Sequence, residues 1–108
     1  MNSLNGGKAV IRVSRGNFDP SRFDEVRKMT NATGDYLIPA IKSLPGLIEY
    51  FAGASPDGSM VHVSIWESNE AAEQMGQLTQ MIVDARRDAD KVGVNFTPIV
   101  NYAIEWSI

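Results

Sequence analysis

The stretch VHVSIWES, residues 61–68, combines the pattern of a strand with the start of a helix. Strict alternation places His62, Ser64 and Trp66 on one face of an extended segment and three β-branched residues on the other. Ser68 then provides the hydroxyl of a typical helix N-cap. The stretch therefore predicts a half-buried strand that passes directly into a helix.

Further strands are predicted on both sides of this stretch by the same alternation. Lys8–Arg15 forms the first, and a Gly-Asn pair ends it. Leu47–Ala54 and Met60–Glu67 are joined by the turn residues at 55–59, so together they predict a β-hairpin. Ile99–Trp106 predicts the last strand.

The first helix is predicted to begin at Asp19-Pro20, where an acidic N-cap precedes a proline at the first helical position. Its buried face recurs at spacings of three and four: Phe23, Val26, Thr30, Thr33, Leu37, Ile41 and Leu44. Gly34 and Pro39 interrupt this face and predict a kink or two helical pieces. A break there either opens a space for a small ligand between helix and sheet or only adjusts the packing.

The second helix follows Ser68 and is predicted to be unbroken. Its apolar stripe is Ala71, Met75, Leu78, Ile82, Ala85 and Ala89, and charged residues cover the opposite surface. Gly93 is a natural stop for this helix.

The order of these elements is βαββαβ. It predicts an α+β, ferredoxin-like fold, with an antiparallel sheet and both helices on one face. We assign residues 8–108 to this single domain and expect residues 1–7 to form a flexible N-terminus. Several strands are apolar on both faces, so a monomer would expose a large apolar surface. A homodimer with sheet-on-sheet packing would cover it, with Val61, Val63 and Ile65 in the interface.

The composition excludes several kinds of chemistry. There is no cysteine to form a disulfide or a thiolate, and one histidine cannot form a histidine metal cluster within a chain, so we expect no metal site. The net charge of −3, without a lysine–arginine cluster, argues against nucleic-acid binding. No apolar run reaches the roughly 20 residues of a membrane helix. The N-terminus has no signal-peptide core, so we expect a cytoplasmic protein that does not bind membranes.

Two short motifs carry a resemblance to a known family. IKSLPGLIEYFAG (41–53) passes from a helix end through Pro-Gly into an aromatic-containing strand. DGSMVHVSIWESNEAAEQM (57–75) closes a strand on Trp-Glu-Ser before an alanine-rich helix. In these residues the chain resembles the antibiotic-biosynthesis-monooxygenase-like domains of the dimeric α+β-barrel superfamily. The resemblance extends to the βαββαβ order of essentially the whole chain and implies a homodimer.

Several active members of this group oxygenate electron-rich aromatic substrates without metal or flavin, in a cleft between sheet and helices. The resemblance therefore implies no cofactor, and it places Trp66 and the residue four before it, His62, at the ligand. An asparagine at position 62 would be the closer match to the oxygenating members. The haem-degrading branch of the superfamily carries an axial histidine in the following helix. Residues 68–93 contain none, so haem degradation by that route is not expected.

The strand face shared by His62, Ser64 and Trp66 provides the first candidate site residues. A neutral imidazole can accept a proton from a phenolic substrate, or it can form an ordinary hydrogen bond within the sheet. Trp66 offers a flat apolar wall and an N–H donor to a ligand, or it caps the core. Ser64 lies between the two as a further candidate ligand contact.

Four more side chains are candidate ligand contacts. Arg12 lies on the first strand, which is expected beside the third, and it either binds an anionic or carbonyl group or pairs with Glu49. Phe51 shares a strand face with Glu49, and Tyr36 lies near the predicted kink. Arg86 borders the apolar stripe of the second helix, where an acidic residue one turn on is an alternative partner.

The sequence therefore favours a cofactor-independent, monooxygenase-like enzyme with His62 as the base. Its substrate is expected to be small, and an aromatic compound is one candidate. Two other hypotheses stay open. One is a non-catalytic dimer that binds a small ligand or is purely structural, and the other is an isomerase that uses His62 or Glu49 for proton transfer. A cavity lined by His62 and Trp66 would favour the ligand-site hypotheses, and solid packing there would favour the structural one.

Overall fold

The stretch VHVSIWES lies at the centre of a five-stranded antiparallel sheet in the computed structural model, which describes residues 8–108. The predicted flexible N-terminus, residues 1–7, lies outside the described residues. The strands are β1 (Val10–Asn17), β2 (Leu47–Ser55), β3 (Ser59–Trp66), β4 (Asn95–Phe96) and β5 (Val100–Ala103). β3 lies between β2 and β1, while β4 and β5 pair with the other edge of β1.

Three α-helices of the described chain pack on one face of this sheet: α1 (Phe23–Lys42), α2 (Asn69–Glu73) and α3 (Thr79–Lys91). Both predicted helix starts are confirmed. The Asp19 carboxylate accepts a hydrogen bond from the backbone of Ser21 at 2.9 Å, and it opens a 3₁₀ turn that leads into α1. The Ser68 hydroxyl accepts one from the backbone of Ala71 at 3.1 Å. The predicted α+β, ferredoxin-like class is confirmed.

The helix interruptions differ from the prediction. α1 is continuous through Pro39, so its predicted division into two pieces is wrong. Pro39 is exposed, and one missing backbone donor there does not interrupt the packed stripe. The prediction of an unbroken second helix is also wrong, because a 3₁₀ turn at Gln74–Gln77 separates α2 from α3. Leu78 at the junction has a non-helical ψ of 48°, and Gly76 has low helix propensity.

The last strand is shorter than the predicted Ile99–Trp106. Only Val100–Ala103 pairs with β1, and the backbone of Ile104 adds one hydrogen bond to Ala9 at 3.2 Å. The segment between α3 and β5 contains a short strand of its own, β4, which pairs with the other end of β1. Pro98 lies between β4 and β5, and because it lacks a backbone donor it favours their separation.

The core lies between the helices and the sheet face that carries His62, Ser64 and Trp66, which we call the inner face. Two clusters of buried residues form it. The first contains Val10, Ile41, Trp66, Ala72 and Met75, and the second contains Phe18, Val26, Met60, Ala89 and Val94. Both clusters draw on helices and strands, so the helices are held against the inner face at two places.

The opposite side of the sheet, which we call the outer face, has no helix on it in the described residues. Val61, Val63 and Ile65 lie there only half-buried. Phe51, which pairs with Val63, is 55% exposed, and Tyr102 on β5 is 47% exposed. A large apolar surface is therefore open to solvent in the single chain. None of the helices in residues 8–108 is long and apolar enough to cross a membrane.

Candidate active site

A cavity of about 480 Å³ lies between the inner face of the sheet and helices α1 and α3. The sheet contributes polar side chains to it: Arg12, Ser14, Tyr50, His62 and Ser64. The remaining walls are mostly apolar, with side chains such as Met29, Leu37, Ile41, Met75, Ile82 and Phe96. This volume and this mixture are typical of a small-molecule site.

The helix break beside the cavity helps to form it. Met75 and Gly76 of the 3₁₀ turn and Thr79 at the start of α3 all line the space. Residues of both core clusters border it as well, including Ile41 of the first and Met60 of the second. The cavity is thus the region between two packed clusters where the second helix is interrupted, whereas the predicted gap lay at a break in the first helix.

The strand register brings the polar side chains into two neighbouring rows. Ser64 on β3 pairs with Arg12 on β1 and with Tyr50 on β2, so these three residues form one row across the sheet. His62 pairs with Ser14 in the next row. Because cross-strand and diagonal neighbours share a face, His62 has Arg12 on one side and Tyr50 on the other.

His62 and Tyr50 form the central polar contact of the site. Tyr50 Oη and His62 Nδ1 are 2.8 Å apart and share a hydrogen bond whose direction depends on the imidazole tautomer. Burial lowers the pKa of His62 and raises the pKa of Tyr50 to about 12, although the charge of Arg12 partly opposes the second effect. Both groups are therefore neutral near pH 7. His62 Nε2 has no partner among the described residues.

Arg12 is a half-buried cation without a counter-ion in the described chain. No carboxylate of residues 8–108 lies within 4.0 Å of its guanidinium. Burial lowers the pKa of Arg12, while a Tyr50 phenolate, which forms only at high pH, and the Glu73 carboxylate oppose this effect. The Glu73 carboxylate lies beyond ion-pair distance. The predicted alternative of a pair with Glu49 is wrong. Glu49 pairs with Ile65 on the outer face, in the register that the hairpin's closing pair, Ser55 and Ser59, sets for β2.

Trp66 lies in the core next to the cavity and does not line it. Its side chain is fully buried, and its Nε1 donates a hydrogen bond of 2.8 Å to the Ser64 hydroxyl. Ser64 is buried as well and does line the cavity. The structure therefore places Trp66 as a support for Ser64 and not as the wall that the sequence predicts.

The other predicted ligand contacts are divided between the cavity and other surfaces. Arg86 on α3 is exposed and lines the cavity. Phe51 lies on the outer face, away from the cavity. The Tyr36 hydroxyl donates to Asp88 at 3.0 Å and links α1 to α3 outside the cavity. Desolvation and this carboxylate raise the pKa of Tyr36 to about 12, so its phenol stays neutral.

Tyr50 is the main site residue that the sequence argument missed. The hairpin turn indicates where Tyr50 lies, because Ser55 pairs with Ser59. Counting outward from this pair, one residue at a time along both strands, places residue 50 opposite residue 64. This register places Tyr50 on the inner face and Phe51 on the outer face. The apolar character of both faces of β2 concealed the difference.

The site can supply a neutral base, a neutral phenol and two cations without an ion-pair partner among the described residues, the half-buried Arg12 and the exposed Arg86, beside apolar walls. Within residues 8–108, no group of three or more histidine, aspartate or glutamate side chains is arranged to hold a metal ion. The chemistry available from the described side chains is proton transfer at His62 and stabilisation of negative charge at Arg12.

Comparison with known proteins gives structural matches only, because no protein-family model and no curated protein matches the chain. A monooxygenase from the gene ActVA-Orf6 of Streptomyces coelicolor, in complex with nanaomycin D, superposes with a TM-score of 0.69 at 19% identity. That alignment covers 93% of this chain and 90% of the other.

Two further structures are similar. A proposed antibiotic biosynthesis monooxygenase from Deinococcus radiodurans has a TM-score of 0.68 at 15% identity, covering 92% of this chain and 95% of its own. SnoaB, a cofactor-independent oxygenase from Streptomyces nogalater, has a TM-score of 0.64 at 13% identity, and the alignment covers 94% of this chain and 98% of SnoaB. The chain therefore has the ferredoxin-like fold of the antibiotic-biosynthesis-monooxygenase-like proteins, as the motifs at 41–53 and 57–75 predicted.

Proposed function

We propose that this protein is a cofactor-independent monooxygenase that oxidises a small hydroxylated aromatic compound in the cavity. The observation that carries the proposal is the hydrogen-bonded pair of His62 and Tyr50 beside apolar walls. Two structural neighbours support it, because one is a cofactor-independent oxygenase and another is a monooxygenase in complex with nanaomycin D.

The first step in the proposal is removal of the substrate's hydroxyl proton by His62. In the productive tautomer, Nδ1–H donates to Tyr50 Oη, and the lone pair on Nε2 accepts the proton. Tyr50 stays neutral, so its oxygen can stabilise the imidazolium that forms. Because burial lowers the pKa of His62, the free base is the resting form at neutral pH.

Dioxygen is the oxidant in the second step. The deprotonated aromatic ring is electron-rich and donates electrons to dioxygen, which bonds to a ring carbon that carries a hydrogen. The peroxide anion that forms takes back the proton held by His62 and becomes a hydroperoxide. Loss of water from that hydroperoxide leaves a carbonyl on the carbon, so one oxygen atom enters the product and the other leaves as water. The positive charge of Arg12 stabilises the anionic species that precede the hydroperoxide.

The proposal is tested by oxygen uptake with a panel of hydroxylated naphthalenes and anthracenes. Wild-type protein is expected to consume oxygen with at least one of them and to place one labelled atom of ¹⁸O₂ in the product. His62→Ala is expected to lose about 100-fold or more of the rate, as is typical when a general base is removed. Tyr36→Phe serves as a control, because Tyr36 lies outside the cavity.

Equal rates in wild type and His62→Ala would refute the role of His62. Binding of several panel compounds without any oxygen uptake would refute oxygenation. If the bound compound were recovered as its keto tautomer, the isomerase hypothesis would replace oxygenation. If it were recovered unchanged, the protein would be a small-ligand-binding dimer or a ligand-binding monomer.

We also propose that two copies of the chain pack through their outer faces, as the sequence predicts. The support is the apolar surface of the outer face, where Phe51 and Tyr102 are each about half exposed. Light scattering after size exclusion is expected to give twice the chain mass. Val63→Asp is expected to give monomers, and a dimer that persists in this variant would contradict the proposed interface. The cytoplasmic location predicted from the sequence remains part of this proposal.

A further inference from the structure

We propose that the natural substrate is an aromatic acid, whose carboxylate pairs with Arg12 while its reacting hydroxyl faces His62. This assignment rests on the proposed use of the cavity as a substrate site and names the class of compound that it takes. It goes beyond the oxygenation itself, which requires only a hydroxylated ring.

The first support is the absence of a counter-ion for Arg12 among the described residues. A partly buried charge without a partner is unfavourable, and an apolar side chain at the same position would pack at lower cost. The Asn101 side chain, directly opposite Arg12 on β5, does not compensate the charge. Its Oδ1 is buried and has no hydrogen-bond partner in the described chain, while its amide nitrogen donates to Asn69 at 3.2 Å. The Arg12 guanidinium therefore has no hydrogen-bond acceptor among the described side chains, and a ligand can supply one.

The second support is the charge of the cavity lining. Two of the lining side chains, Arg12 and Arg86, are cations, and none of the lining residues is acidic. Glu73 acts on Arg12 only from beyond ion-pair distance and does not line the cavity. An anion that enters this space therefore meets positive charge and apolar walls without a repelling carboxylate in the lining.

The third support is the spacing of the two polar groups. Arg12 and His62 are diagonal neighbours on β1 and β3, since Arg12 pairs with Ser64 and His62 pairs with Ser14. Diagonal neighbours are about 7–8 Å apart at the backbone and closer at the side chains. One small ligand can therefore contact both. A guanidinium also matches a planar carboxylate with two parallel hydrogen bonds, which a neutral or phenolic oxygen does not provide.

The test compares an acid and a neutral compound of the same shape, 4-hydroxy-2-naphthoate and 4-hydroxy-2-naphthamide. Their dissociation constants are measured by isothermal titration calorimetry at pH 7.5 without oxygen, so that binding is separated from turnover. Wild-type protein is expected to bind the acid at least tenfold more tightly than the amide. Arg12→Gln is expected to bind the two compounds equally, and Arg12→Lys is expected to keep part of the preference.

The matched control is Arg15→Gln, which removes the same charge from the same strand at an exposed position outside the cavity. It is expected to keep the full tenfold preference. Equal binding of acid and amide by wild type would overturn the assignment, as would a tenfold preference that survives in Arg12→Gln. Because Arg12→Lys retains a charge, it keeps the test informative if the glutamine variant does not fold.

The outcome also separates this assignment from the proposed reaction. If the bound acid shows the Arg12-dependent preference but consumes no oxygen in air, oxygenation is refuted and the carboxylate site stands. If oxygen is consumed equally fast with the amide and the acid at low concentration, the carboxylate site is refuted and oxygenation stands.

Discussion

Replacing Tyr50 by phenylalanine is the sharpest test of the polar pair in the cavity. The substitution keeps the ring and removes only the hydroxyl that lies 2.8 Å from His62 Nδ1. Two properties should change together. The folded protein loses a partly buried hydrogen bond, and the imidazole loses the group that selects its tautomer and stabilises its protonated form.

The size of both effects follows from the geometry. A partly buried group left without its partner costs about 1–2 kcal/mol, toward the lower part of the range for buried groups. The entropy of unfolding is about 2.1 cal/mol/K per residue, so for the 108 residues of this chain each 1 kcal/mol lowers the melting temperature by about 4 °C. Tyr50→Phe should therefore melt about 4–9 °C lower. If the same interaction stabilises the transition state, the rate of oxygen uptake should fall by about 5- to 30-fold.

Tyr36→Phe is the matched control, because Tyr36 also loses one hydroxyl that is hydrogen-bonded to a side chain, Asp88, at 3.0 Å. It should lose stability by a similar or smaller amount and keep the wild-type rate, since it lies outside the cavity. Melting is followed by circular dichroism at one protein concentration, and oxygen uptake is measured at saturating substrate below the melting transition. Equal losses of rate in the two variants, or an unchanged rate in Tyr50→Phe, would refute the assigned role of Tyr50.

Three further predictions concern the free energy of unfolding, and one of them also concerns the affinity for a ligand. Burial lowers the pKa of His62 below its unfolded value of 6.5, so the unfolded chain takes up this proton first as the pH falls. The urea-unfolding free energy of wild type should therefore decrease relative to His62→Gln below pH 6.5, by no more than about 1.4 kcal/mol per pH unit, and a pH-independent difference would contradict this. Trp66→Phe should lose about 2 kcal/mol in urea unfolding, because it leaves a void and removes the donor to Ser64. Its affinity for 4-hydroxy-2-naphthoate should stay within about twofold of wild type if Trp66 only supports the cavity, and a large loss of affinity without a loss of stability would reverse that conclusion. Arg12→Met should leave the unfolding free energy unchanged or raise it by up to about 1 kcal/mol, and a loss of that size would mean that the folded chain already compensates the charge.

The local signals in the sequence predicted most of the fold because each has a short-range physical cause. The caps at Asp19 and Ser68 depend on a side-chain oxygen that meets a backbone donor two or three residues away. The turn at 55–59 depends on Gly58, whose φ of +99° is a backbone conformation that glycine adopts without strain. Such features need no knowledge of the rest of the chain, so the hairpin and the starts of the helices were predictable.

The cavity was not predictable in the same way, because it depends on how two packed clusters leave space between them. The apolar stripe of the second helix continues through the break at residues 74–78, since the residues on both sides face the same sheet. Periodicity therefore does not reveal that α2 and α3 are separate helices. Conversely, Pro39 signals an interruption in α1 that does not divide the helix, because the proline lies on an exposed position. The break that borders the cavity, at residues 74–78, has only a weak local signal in the sequence. The strong local signal, Pro39, does not coincide with a break in a helix.

The identity of the base's partner illustrates a different limit, which the sequence could have overcome. Alternation alone gives two equivalent faces for β2, because both are apolar, and it cannot tell whether Tyr50 or Phe51 faces His62. The turn removes this ambiguity, because its closing pair, Ser55 and Ser59, sets the register of every pair up to the bulge near Ile48. In a hairpin that carries a candidate catalytic residue, the turn should therefore be counted before the faces are assigned. Counted in this way, the only histidine of the chain is predicted to lie diagonal to a tyrosine, so the hydrogen bond on which the proposed chemistry depends becomes an expectation of the sequence.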